Sequence, residues 1–119
     1  MVAGGQPTPG ADEPPGGDAV SRAAAGMPAW FRDHYVAAAS EIITFLEEDG
    51  ISLIGREIAD VGCGDGVIDL GVCHRAQPSH LVGFDLELTD SKRLLQWSRR
   101  FGVGRELPGA LEFRTATAT

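Results

Sequence analysis

Three short apolar runs along the chain are separated by segments whose apolar positions step by three and four residues. The first run, Glu57–Val61, reads as a strand. The second, Leu81–Asp85, and the third, Leu111–Thr115, where Leu111, Phe113 and Thr115 alternate, read the same way. Ahead of them, Trp30, Phe31, Tyr35, Ala38, Ile42, Phe45 and Leu46 build one stripe of a helix over residues 28–48. Pro28 suits its first turn, and Asp49-Gly50 suits its stop. Ile51–Arg56 is a connector. A helix of about ten residues is expected from Val67, ending before Pro78, and another over Ser91–Phe101 with Thr89, Asp90 and Ser91 as cap candidates. Gly102, Gly104 and Pro108-Gly109 then break the chain.

Strands alternating with helices imply βαβ units, right-handed crossovers and a parallel sheet. The expected fold is α/β, a Rossmann-like three-layer αβα arrangement in partial form, with the first three strands of a doubly wound sheet. Residues 1–26 differ in kind: they hold six Gly, four Pro and six Ala and no Leu, Ile or Phe. Such a stretch is expected to be a disordered tail, leaving 27–119 as the folding unit.

A net charge of −7 disfavours non-specific attraction to nucleic acid or an anionic membrane. The one basic bias, at Lys92, Arg93, Arg99, Arg100, Arg105 and Arg114, reads first as a solvated helix face. Two cysteines give no disulfide framework, and the start of the chain lacks the basic and apolar regions of a secretory signal. No apolar stretch approaches a membrane span. A reducing, cytoplasmic setting is the expectation. His34, His74 and His80 show no metal-ligand spacing, so no metal is expected.

The candidate chemistry lies where strand one meets its helix. Gly62, Gly64 and Gly66 alternate through a five-residue turn, which lets the backbone bend sharply and approach a ligand. A dinucleotide fingerprint would need Gly or Ala at position 67, which is Val; the Lys-Ser/Thr of a phosphate-binding Walker loop is also absent. Asp85 closes the second strand, where nucleotide-binding α/β folds grip a ribose diol. Asp60 could instead cap the turn, and Asp85 could be a loop acid. Glu87 reads as an ordinary loop residue, and Cys63 as a small packing residue with no neighbouring base to activate it. Trp30, Phe31 and Tyr35 read as core or partner-helix packing, with a lid over the site as the alternative.

Asp60-Val61-Gly62-Cys63-Gly64-Asp65-Gly66 resembles motif I of the class I S-adenosylmethionine-dependent methyltransferases, and Val82-Gly83-Phe84-Asp85 resembles the acidic end of that family's second strand. The resemblance spans roughly residues 28–116. It implies S-adenosylmethionine as cofactor. By it, Gly62, Gly64 and Gly66 would line the methionine part, with Cys63 a neighbour of weaker claim. Asp60 would sit near the amino group, Asp85 would accept from both ribose hydroxyls, and Leu86 would touch the adenine face. It further implies methyl transfer to an unidentified acceptor, a small molecule being favoured over nucleic acid. No catalytic residue can be named. Three strands of a seven-stranded fold lead to the expectation of a chain truncated before its substrate site, with an apolar edge and face left open. A non-catalytic binding module, or a half-domain completed by a partner chain, is the alternative.

Overall fold

The computed structural model describes residues 26–116. The expected tail at 1–26 therefore lies almost wholly outside the described residues. A first helical stretch runs continuously from Ala29 to Glu48 in three parts: α1 (Ala29–Arg32), a π-helical segment (Asp33–Ala38) and α2 (Ala39–Glu48). It is followed by β1 (Glu57–Val61), α3 (Val67–Ala76), β2 (His80–Asp85), α4 (Ser91–Arg100) and β3 (Leu111–Thr115). The strands form one parallel sheet in the order β1-β2-β3. Ile58 pairs with Leu81 and Leu81 with Leu111, and Asp60 pairs with Gly83 and Gly83 with Phe113. The fold class is α/β, a partial Rossmann-like sheet with flanking helices.

Period-two alternation sorts the strands into two faces. Ile58, Leu81, Leu111 and Phe113 share one face and pack into the apolar clusters built by the helices, around Phe31, Val67, Leu70 and Leu94 and around Ala39, Val72 and Ala76. The other face carries Ala59, Val61, Val82 and Phe84 with a polar corner, where His80 Nε2 meets Glu112 Oε1 at 2.8 Å and Arg114 Nε donates to Glu112 Oε2 at 2.6 Å. The described helices pack on the first face only, so they form two of the three expected layers. Val61 is 80 % exposed at the unpaired edge of the sheet.

The first helix departs from the sequence expectation in an informative way. The expected stripe ran through Ala38, Ile42 and Phe45, yet Ile42 and Phe45 are exposed while Phe31, Tyr35 and Ala39 are buried and Ile43 and Leu46 join the core. A π turn adds one residue to the helical repeat, which moves every later apolar position on by one. The π segment packs directly on α3. Gly71 lies against the π segment so closely that a Cβ there would fall 2.3 Å from the Tyr35 carbonyl oxygen. Arg75 fastens the contact, its Nη1 donating to Tyr35 O at 2.7 Å and to Gly71 O at 3.1 Å.

The remaining aromatic residues settle a second alternative. Trp30 packs edge-on against Trp97 with ring centroids 4.9 Å apart, and Phe31 meets Phe101 at 4.8 Å. These rings join the first helix to α4, which is the packing reading and not the lid. The basic residues of α4 are engaged locally: Arg93 lies over Trp97, and Arg99 Nε donates to Arg105 O at 2.8 Å.

Candidate cofactor cradle

Parallel strands bring the C-terminal ends of β1 and β2 side by side, so the loops that follow them, 62–66 and 86–90, share one end of the sheet. The glycine loop folds back on β2 immediately. The N–H groups of Gly62 and Cys63 both donate to Phe84 O, at 2.6 and 3.0 Å. Gly62, Gly64 and Gly66 all have positive φ, at 83°, 59° and 85°, the region that L side chains rarely enter. A Cβ on Gly62 or Gly64 would meet nothing within 4 Å, so the loop presents bare backbone to open space. Gly66 differs: its Cβ would lie 2.7 Å from Phe113 Cζ and 3.1 Å from Leu94 Cδ2. It opens α3 and lets the loop settle onto the core.

Asp85 is the bridge between the two loops. Its Oδ2 accepts from Gly64 N–H at 2.7 Å and its Oδ1 from Leu86 N–H at 2.7 Å. A carboxylate has about four acceptor positions, so each oxygen retains one lone pair. Thr89, which the sequence suggested only as a helix cap, is a second bridge. Its buried hydroxyl donates to Gly64 O at 2.7 Å and lies 3.2 Å from Cys63 Sγ. The capping role falls to Asp90, whose Oδ1 accepts from Arg93 N–H at 3.1 Å. Leu86 is 79 % exposed beside the loop, placing an apolar surface next to Asp85.

The electrostatic character of the cradle is uniformly acidic. Asp60 is the last residue but one of β1, Asp65 sits in the loop, Asp69 lies on the first turn of α3 and Asp85 ends β2. Asp65 Oδ1 accepts from Val67 N–H at 3.0 Å and so occupies the N-terminus of α3 with its own charge. Burial raises the Cys63 thiol above its ordinary range, and Asp69, Asp60 and Asp85 push it the same way. Cys63 is thus a half-buried packing residue with its proton on, not a nucleophile.

Asp69 is a site residue that the sequence pattern did not single out. It is 2 % exposed, and its Oδ2 has no hydrogen-bond partner among the described residues. Desolvation first, then the neighbouring Asp60, push its pKa up to about 9. Its signal was present in outline: Val67, Leu70, Gly71, Val72, Cys73 and Ala76 are buried on every side of α3, and Asp69 is the one charged side chain buried with them.

Among the described residues no group of three or more His, Cys, Asp or Glu side chains could hold a metal ion, and no helix is long and apolar enough to cross a membrane. Two open depressions lie elsewhere, one along Arg99 to Glu106 and one between Met27, Trp30, Trp97 and Phe101. Neither touches the glycine loop.

No family model and no curated protein matches the chain. Among solved structures, the chain is similar to the candidate RNA methyltransferase PH1948 from Pyrococcus horikoshii, with 19% sequence identity and a TM-score of 0.46. The match covers 76% of this chain and 43% of that one, so the chain spans less than half the length of the structure it resembles.

Proposed function

We propose that the cradle binds S-adenosylmethionine and that the chain carries the cofactor-binding part of a methyltransferase. The observation that carries this reading is the Asp85 bridge. One carboxylate both ties the bare-backbone loop to β2, through Gly64 N–H at 2.7 Å, and keeps free lone pairs at the strand end. Two adjacent ribose hydroxyls are donors matched to those lone pairs, and charge-assisted bonds of this kind are about twice as strong as neutral ones.

Charge separates this cofactor from the alternatives. A pyrophosphate would need the helix N-terminus, where Asp65 already accepts from Val67 N–H. Asp60 and Asp85 at the strand ends would repel it further, which disfavours NAD and nucleoside triphosphates. S-adenosylmethionine brings a sulfonium and an ammonium instead, both cationic. Gly62 and Gly64 would face its methionine part, Asp60 would receive the ammonium, and Leu86 would cover the adenine. When bound, the group supplies a methyl carbon activated for displacement. The residues of this chain hold and orient it, and the acceptor would have to be aligned with that carbon. The acceptor we favour is a small molecule.

Calorimetric titration of the full chain tests the reading. S-adenosylhomocysteine should bind saturably and NAD should not. Asp85→Ala should weaken S-adenosylhomocysteine by at least about tenfold, the cost of one charge-assisted contact. Equal affinity for NAD, or an Asp85→Ala chain that binds as well as the parent, would refute it.

A further inference from the structure

We infer that Asp69, which lies outside the glycine motif, is a positioning residue: its buried carboxyl group shares a proton with Asp60 and thereby holds the Asp60 carboxylate where the cofactor's amino group is received. This role rests on the cofactor reading above and specifies how its amino end is organised.

The geometry leaves few alternatives. Asp69 stands on the first turn of α3 and is tucked beneath the sheet, its Oδ2 only 2.6 Å from where a Cβ on Gly83 would lie. Cys63 closes the same space, with its Cβ and Sγ each 2.9 Å from that position. Glycine at position 83 is therefore what makes room for the Asp69 carboxyl in the middle of the sheet. Asp60, the register partner of Gly83, leaves the same face of the sheet beside Asp69, and after burial it is the neighbour that acts on Asp69 most strongly. A carboxyl group buried this deeply beside a second one is held neutral, and its proton is what makes their contact attractive. Oδ2 of Asp69 has no hydrogen-bond partner among the described residues, so no donor is in place to stabilise a charge on it.

The groups facing Asp69 hold the proton in place. Asp60 acts from β1 and Asp65 from the loop, and both raise its pKa. Cys63 of the loop and Cys73 of α3 are neutral thiols, with Cys73 pushed up to about 12 by burial and by Asp69. Asp85 adds its charge to the same corner through Cys63. No cation is among the described groups acting on Asp69. Asp69 therefore keeps its proton at neutral pH. Asp60, partly exposed at the strand end, is the member that faces the ligand. Asp69 is the donor that fixes its orientation.

Two variants separate this role from simple packing. Asp69→Asn keeps a donor of the same shape without a titrating proton, and Asp69→Leu keeps the volume without a donor. Side-chain carbon NMR of the ligand-free full chain, followed by S-adenosylhomocysteine titration at pH 7, reads both halves of the proposal. Expected are an Asp69 carboxyl that titrates at a pH of about 9, an affinity for Asp69→Asn within about threefold of the parent, and a loss of about tenfold or more for Asp69→Leu. An Asp69 that titrates in the ordinary carboxylate range would overturn the proposal while leaving the cofactor reading intact, provided the parent chain binds. An Asp69→Leu chain that binds as well as Asp69→Asn would overturn it in the same way. A parent chain that binds no S-adenosylhomocysteine would overturn the cofactor reading and the positioning role with it, whatever the carbon signals report.

Discussion

Gly71→Ala should destabilise the protein even though alanine is the better helix former. Gly71 lies inside α3, where the exchange ordinarily gains about 1 kcal/mol. Here the new Cβ would sit 2.3 Å from the Tyr35 carbonyl oxygen and 2.8 Å from Ala39 Cβ. A relaxed carbon–oxygen contact is about 3.3 Å, so α3 and the π segment must part by about 1 Å. Neither obstacle can rotate aside, because one is main chain and the other a bare methyl. Parting them stretches the 2.7 Å bond from Arg75 to Tyr35 O and lifts the Arg75 guanidinium off the Tyr35 ring, now 4.6 Å away. Overpacking of this kind costs about 1–3 kcal/mol, and rigid obstacles argue for the upper end. Net of the propensity gain, a loss of about 1–2 kcal/mol is expected, which is a fall in Tm of roughly 5–15 °C for a domain this size. Urea unfolding followed by circular dichroism measures it. Gly109→Ala, where a Cβ meets nothing within 4 Å, is the control and should stay within about 0.5 kcal/mol. A Gly71→Ala chain at least as stable as the parent would refute the close-approach account of the π segment.

Two further outcomes follow from the cradle. Asp69 has its folded pKa raised to about 9, far above its unfolded value of about 3.9. Between those values the unfolded chain has released the proton and the folded chain retains it, so stability falls as pH rises, by at most about 1.4 kcal/mol per pH unit. Asp69→Asn removes that dependence and should gain on the parent steadily between about pH 5 and pH 8 in denaturant titrations; parallel curves would contradict it. Thr89→Val keeps the shape of the side chain but deletes the donor to Gly64 O, leaving that bridge unmade. A loss of about 1–3 kcal/mol is expected, with faster amide exchange confined to residues 62–66 as the distinguishing mark.

Local chemistry was legible in the sequence where one short segment decides the outcome. The three strands, the glycine turn, the Asp85 strand end and the Asp90 cap each depend on residues adjacent in the chain, and each stands where the pattern put it, with β2 starting one residue earlier at His80. The π segment was not legible, because the surface it packs on is a glycine 36 positions away on another helix. The same holds for Thr89, whose partners lie 25 and 26 residues back, and for Asp69, which a linear reading counts as an ordinary polar residue of a helix. The cradle's frame was therefore visible in advance, and the side chains that brace it became visible only once the loops stood side by side.

On the proposed function, the bare backbone of the glycine loop, beside the end of β2, receives S-adenosylmethionine. The most direct test maps backbone amide shifts of the full chain as S-adenosylhomocysteine is added. Saturable shifts centred on Gly62, Cys63, Gly64, Asp85 and Leu86 are expected, with α4 and its aromatic contacts unmoved. Absence of shifts at saturating ligand, or shifts centred on Trp30, Trp97 and Phe101, would contradict it.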